Sequence, residues 1–140
     1  LYGSLTELIP NRASGYQANG SGFRNADYLS LSLPYAAGSI MSTVDDLLLW
    51  EQAIRKNHLI SSGSKNTAFT PGSLTNVDVL DYGHRWFVGN IQGSETIEHG
   101  GGIFGYTTMG IYVPSEDIYA VVLTNRNDKA PSDLTVKIVA

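Results

Sequence analysis

Nine residues, Glu98-His99-Gly100-Gly101-Gly102-Ile103-Phe104-Gly105-Tyr106, constrain the rest of this chain most. A titratable ring precedes three glycines, and segments with strand character lie on either side. Glycine admits positive φ and lets another group come close to the main chain. His99 is therefore expected where a strand ends, with the bare amides of Gly100, Gly101 and Gly102 following. Backbone donors beside a titratable ring are parts that an acyl-transfer site uses. A Gly-rich hairpin loop carrying a surface histidine uses the same residues, so the stretch alone leaves both readings open.

Two familiar motifs fail here. Gly100-x-Gly102-x-x-Gly105 has the spacing of a dinucleotide fingerprint, which must open a helix. The next residues are Tyr106-Thr107-Thr108-Met109-Gly110-Ile111-Tyr112-Val113, β-branched and aromatic, and they read as a strand. His99-Gly100-Gly101-Gly102 also imitates the oxyanion loop of α/β-hydrolases. That fold needs a downstream Gly-x-Ser-x-Gly elbow, and Ser115 and Ser132 lie in Pro-Ser-Glu and Pro-Ser-Asp.

Composition narrows the alternatives. The 140 residues suffice for one domain with a core. A net charge of −4 without a basic run gives no footprint for nucleic acid or an anionic membrane surface. With no cysteine there is no disulfide, thiolate metal site or cysteine nucleophile. No apolar run approaches the roughly 20 residues of a membrane span. His58 and His84 have no partner at ligand spacing and read as structural, so neither metal nor cofactor is expected. The chain opens at Leu1 rather than Met, so it is expected to be a piece, and a leader segment is left open.

Along the chain, residues 1 to 35 are rich in Gly, Asn, Ser and Tyr, and Asn19-Gly20-Ser21-Gly22 reads as a flexible turn. Asn19-Gly20-Ser21 is also a glycosylation acceptor pattern, which chance often produces. Arg12 could bind a carboxylate or be a surface charge. A hydroxyl cap at Ser42-Thr43 and the acids Asp45 and Asp46 predict a helix from Val44 to about Lys56. Val44, Leu47, Leu48, Trp50 and Ile54 give it an apolar face, and Glu51 and Arg55 a favourable i, i+4 pair. The helix N-terminus accounts for Asp45 and Asp46 better than an acid–base pair does. A short helix is expected from Ser61 to Phe69, stopped by Pro71-Gly72. From Tyr82 the pattern becomes β: a strand from Tyr82 to Gly89, a turn at Asn90–Gly93, and a strand from Glu95 to His99. A hairpin of Tyr106–Val113 and Ile118–Asn125 comes after them. The second hairpin strand is apolar on both faces, so both are expected to be covered. Pro131-Ser132-Asp133 starts a last helix, with Leu134 and Ile138 on one side.

Taken together, the motifs resemble a known family. They are Ile9-Pro10-Asn11-Arg12-Ala13-Ser14-Gly15-Tyr16, Ala36-Ala37-Gly38-Ser39-Ile40-Met41-Ser42-Thr43 with Asp46-Leu47 and Trp50, Tyr82-Gly83-His84-Arg85-Trp86, the His-Gly-Gly segment, and Val121-Val122-Leu123-Thr124-Asn125. In this order they resemble the C-terminal part of serine beta-lactamase-like hydrolases, the class C beta-lactamases, D-alanyl-D-alanine carboxypeptidases and related esterases. The resemblance implies an α+β fold, the C-terminal part of the beta-lactamase/transpeptidase-like fold, with antiparallel sheet strands and packed helices, spanning 1–140 as a fragment of one domain. It implies a small-molecule or peptide acyl substrate and an often exported protein. It places His99 at the Lys position of the family's third motif, Gly100 at the Thr position and Gly101 at the Gly position, and makes the Gly102 amide one oxyanion donor.

The same family exposes three decoys. Ser62-Gly63-Ser64-Lys65 matches its Ser-x-x-Lys nucleophile motif, and Ser64-Lys65-Asn66 its Ser-x-Asn motif. The family's nucleophile opens a long buried helix, whereas this segment is short, polar and ends at Pro71. Tyr28-Leu29-Ser30 imitates a tyrosine motif that belongs well upstream. The nucleophile, its lysine and the tyrosine are therefore expected outside these residues, which leaves a fragment inactive alone. A non-catalytic binding module or pseudoenzyme and a structural subunit completed by a second chain stay open. The unpaired edge of Ile118–Asn125 leads to an expectation of self-association.

Overall fold

The computed structural model describes residues 8–76 and 80–140. In chain order the elements are β1 (Tyr16–Asn19), β2 (Gly22–Asn25), a 3-10 turn at Tyr35–Ala37, α1 (Val44–Arg55), α2 (Ser62–Phe69), β3 (Phe87–Ile91), β4 (Ser94–Ile103), β5 (Tyr106–Val113), β6 (Ile118–Thr124) and α3 (Ser132–Val139). The strands form a two-stranded sheet, β1-β2, and a four-stranded antiparallel sheet in the order β3-β4-β5-β6. The α+β architecture agrees with the sequence expectation, while the β1-β2 hairpin replaces the bare flexible turn expected around Asn19-Gly20. Gly20 (φ 59) supplies that turn's left-handed residue.

Local chemistry sets the helix ends. The Thr43 side chain accepts from the Asp46 N–H at 3.1 Å, and Asp45 and Asp46 sit in the first turn of α1. At the other end Asn57 is left-handed (φ 58), its N–H donates to the Ile54 carbonyl, and the His58 N–H donates to the Ala53 carbonyl. That pair of bonds is a Schellman closure, with Asn in the glycine role. Ser61 caps α2 by accepting from the Ser64 N–H at 3.1 Å, and Thr70 turns extended (ψ 126) as a residue before proline must.

The large sheet differs from its sequence reading at two points. Tyr82 makes only an isolated bridge to Phe87, because Gly83 N–H closes on the Trp86 carbonyl and Arg85 is left-handed (φ 73). The strand therefore starts at Phe87 and turns at Gln92-Gly93, both left-handed, as a two-residue hairpin requires. The second difference is larger. Gly100, Gly101 and Gly102 lie inside β4, paired with Met109, Thr108 and Thr107. Three glycines are poor strand formers, but β5 pairs along all three, with β-branched Thr107 and Thr108 opposite two of them, and Thr108 Oγ1 leans to 3.0 Å from where a Gly101 Cβ would sit. The turn falls at Phe104-Gly105, with Gly105 at φ 82.

Alternation along the strands sorts the two faces. Ile97, His99 and Gly101 share one face with Tyr112, which pairs with Ile97. The Arg55 guanidinium lies 5.0 Å from the Tyr112 ring centre, so α1 covers this face. Thr107, opposite Gly102, lies on the other face, and its Oγ1 bonds the Arg126 and Lys129 carbonyls at 3.0 and 3.1 Å. Those residues lead into α3, which packs on β5 and β6. Ile97 is buried on the first face, and Ile111, Val113 and Ala120 on the second.

Within α1, the expected Glu51–Arg55 pair turns out to be largely covered, with Glu51 buried and the Arg55 side chain 17 % exposed. Glu51 is 3 % exposed, and its Oε2 lies 2.5 Å from Arg55 Nε. Arg55 also reaches the Asp117 carboxylate, to which Tyr112 Oη donates at 3.2 Å. Burial pushes the Glu51 carboxyl above its usual range, and the Arg55 charge opposes that rise.

The β6 strand has α1 and α3 packed against it, whereas apolar residues on the helices themselves are open. Leu134 and Ile138 of α3 are 54 % and 58 % exposed, and Val44, Leu48, Leu49 and Trp50 of α1 are also exposed. The surface totals 9484 Å², against about 7,100 Å² for a compact monomer of this mass.

Candidate functional site

His99 projects from β4 on the α1-covered face, near the point where β3 stops pairing. The last pair between those strands is Phe87 with Glu98. Beyond it, residues 99 to 103 of β4 have β5 on one side and, among the described residues, an unpaired edge on the other.

The two hairpins determine which amides face that edge. In a two-residue hairpin the residues flanking the turn exchange hydrogen bonds, and such pairs then alternate. Counting from Ile103–Tyr106, the bonded pairs are Gly101–Thr108, His99–Gly110 and Ile97–Tyr112. Counting from Ile91–Ser94, the bonded pairs are Gly89–Thr96 and Phe87–Glu98. The two counts agree. Gly100 and Gly102 therefore turn their N–H and C=O groups outward to the open edge, while His99 and Gly101 are tied to β5.

Aromatic rings surround His99. Its ring centre lies 6.5 Å from Tyr82, 6.5 Å from Trp86 and 6.2 Å from Phe87. Trp86 stacks on Trp50 of α1 at 5.8 Å and meets Phe69 of α2 edge-on at 5.5 Å. Tyr82 Oη comes within 3.5 Å of His99 Nε2. These contacts tie the site to both helices and make one wall of apolar rings. At the far end of β4 the 3-10 turn closes in, since a Cβ on Gly38 would lie 3.5 Å from Ile103 Cγ2. The buried Ser39 hydroxyl braces that turn by donating to the Tyr35 carbonyl.

The structure thus brings together His99 with the outward amides of Gly100 and Gly102, and separates them from the other candidates. Lys65 Nζ donates to the Arg55 carbonyl at 2.7 Å, which commits it to α1 rather than to Ser62. Ser30 shares a hydrogen bond with Ser32 at 2.8 Å. Arg12 is exposed in the N-terminal segment, and Asp45 and Asp46 lie at the α1 terminus. His58 and His84 are exposed as well. The described residues hold no group of three His, Cys, Asp or Glu side chains placed to bind a metal ion, and no helix long and apolar enough to cross a membrane. The aromatic partners of His99 were not singled out from sequence as site residues. The signal was the cluster Tyr82, Trp86 and Phe87 in six residues, just ahead of the histidine strand.

Comparison with known proteins gives a consistent picture. The family model described as Beta-lactamase matches residues 2–139. Penicillin-binding protein 4* of Bacillus subtilis (strain 168) is 33% identical over 92 residues, covering 65% of this chain and 20% of that protein. A penicillin binding protein from Bacillus halodurans superposes with a TM-score of 0.73 at 18% identity, over 99% of this chain and 42% of that one. A D-stereospecific amidohydrolase from Streptomyces sp. superposes with a TM-score of 0.74 at 18% identity, over 93% of this chain and 39% of that one. The chain spans less than half the length of each.

Proposed function

Because the chain belongs to the beta-lactamase family, we propose that it is the C-terminal part of the catalytic domain of a serine hydrolase, with residues 1–140 forming one wall of the cleft. The observation that carries this is the placement of the His99 ring beside the outward amides of Gly100 and Gly102 on an open strand edge. A serine supplied from outside these residues attacks the acyl carbon and passes its proton to a neighbouring base. The carbonyl oxygen becomes an oxyanion, which the Gly102 N–H stabilises. Collapse expels the leaving amine or alcohol with a proton, and water then releases the acyl group from the serine. His99 polarises the proton network or draws in a substrate carboxylate. Gly101, tied to β5, holds the donor strand straight. The names of the relatives, penicillin-binding protein and D-stereospecific amidohydrolase, support a beta-lactam, a D-alanyl peptide or a related ester as the acyl donor.

Acylation mapping tests this reading. The full-length protein, incubated with a fluorophosphonate or a labelled beta-lactam and digested, should carry one adduct on a serine outside residues 1–140. The 140-residue chain should carry none. A stoichiometric adduct on Ser62 would make the α2 motif the real nucleophile. No adduct on any serine of the full-length protein would favour a binding module on the same fold.

The β6 edge supports a second expectation. Among the described residues, β6 pairs only with β5, and Ile118–Thr124 has no charge, Gly or Pro to blunt its free side. On its own the 140-residue chain is expected to form dimers or larger assemblies across that edge. Light scattering at high concentration checks it, and a monomer there would refute it.

A further inference from the structure

We propose that Tyr82 is a positioning residue for His99, holding the imidazole through its hydroxyl so that one ring nitrogen is committed before substrate arrives. The inference rests on the proposed role of His99 and deepens it. Three observations place Tyr82 there. Its Oη lies 3.5 Å from His99 Nε2, a separation of the kind that tightens when a catalytic complex forms. Its ring meets Phe87 edge-on at 4.5 Å, and its backbone bridges to Phe87, which pairs with Glu98 next to the histidine. The turn behind it is tightly packed: a Cβ on Gly83 would fall 2.5 Å from the Ala68 carbonyl oxygen and 2.7 Å from that of Thr70. Tyr82 is thus anchored to the same strand pair that presents His99, and α2 backs the loop.

The chemistry comes from the two ring nitrogens. When a tyrosine hydroxyl donates to Nε2 of a neutral imidazole, the proton must sit on Nδ1. Trp86 and Phe87 meet the ring through their aromatic faces and edges and restrict its tilt. With the Tyr82 hydroxyl as donor, the Nδ1–H tautomer is selected, and the rings of Trp86 and Phe87 hold the plane. Without that hydroxyl the imidazole keeps its place but loses the choice of nitrogen.

Tyr82→Phe in the full-length protein separates this from a packing role, because it deletes one oxygen and keeps the ring against Phe87. With ¹⁵N-labelled histidine, the His99 signal is assigned by its disappearance in His99→Gln. The wild type should show the Nδ1–H tautomer, and Tyr82→Phe should shift the ring to a mixture richer in Nε2–H, with backbone amide signals elsewhere unchanged. Turnover should fall about tenfold with KM within about twofold, and Tyr82→Phe should add no further loss in a His99→Ala background. An Nε2–H pattern in the wild type, or an identical pattern in the variant, overturns the proposal. If the tautomer shifts as expected while His99→Ala hydrolyses at the wild-type rate, the positioning stands and the catalytic role of His99 falls.

Discussion

Gly102→Pro in the full-length protein lowers acyl-transfer turnover about 10²- to 10³-fold, the cost of removing one oxyanion donor of roughly 3 kcal/mol, while the thermal midpoint stays within a few degrees. The reason is directional. The Gly102 N–H faces the open edge and carries no ladder bond, so proline removes the donor without breaking the sheet. The residue before it, Gly101, is extended within β4, as a pre-proline residue should be. Two controls isolate the amide. A Cβ at position 102 would sit 3.6 Å from Thr107 Cγ2, so Gly102→Ala fits and should keep most activity. Gly101→Pro removes a bond to Thr108 and should lose stability instead. His99→Ala should cut turnover by about 10²-fold or more with folding nearly intact, since His99 is an exposed residue. Steady-state hydrolysis of an ester or beta-lactam, with thermal unfolding of each variant, checks the series. Wild-type turnover in Gly102→Pro would remove Gly102 from the site.

Arg55→Ala is expected to destabilise the full-length protein by about 3–5 kcal/mol at neutral pH, the range for breaking a buried pair from one side. Glu51 is 3 % exposed and has Arg55 Nε at 2.5 Å, so the truncation strands a carboxylate under the sheet. It also frees the Asp117 carboxylate that Arg55 and Tyr112 hold in the β5–β6 turn. The sign of the pH dependence is a separate check. Burial raises the folded-state pKa of Glu51 above its ordinary value of 4.5. A carboxyl raised in this way favours the folded state most when protonated. Its contribution is fully present below the unfolded pKa and is lost as pH rises through the folded one. Without Arg55 the charge costs more, so the Arg55→Ala defect should shrink as pH falls toward 4 and be constant above the raised pKa. Glu51→Leu combined with Arg55→Met should recover much of the loss, because two apolar side chains leave no charge behind. Urea unfolding at several pH values measures all three. A defect under 1 kcal/mol at neutral pH, or one that grows on acidification, would contradict the buried-pair account.

The amino-acid sequence by itself determined the class of the fold and most element positions. Local causes sufficed for these: the Thr43 and Ser61 caps, the proline after α2, the β-branched run of β5 and the charge-free run of β6 each act within a few residues. It also determined the family, because five motifs in one order seldom arise by chance, and it singled out His99-Gly100-Gly101-Gly102. The tertiary structure decided what those glycines are. Read locally they form a loop, since glycine weakens a strand; opposite Met109, Thr108 and Thr107 they become one, because β5 bonds His99, Gly101 and Ile103 and so holds Gly100 and Gly102 extended between them, which no local propensity encodes. Only pairing on both sides of β4 could separate the tethered amides of His99 and Gly101 from the outward ones of Gly100 and Gly102. Distance along the chain hid the rest. Tyr82 and His99 are 17 residues apart, and Arg55 and Asp117 are 62 apart. Which rings surround His99, and which acid the α1 arginine neutralises, depend on how β3 and the β5–β6 turn fold back onto the helices. No local pattern carries that information.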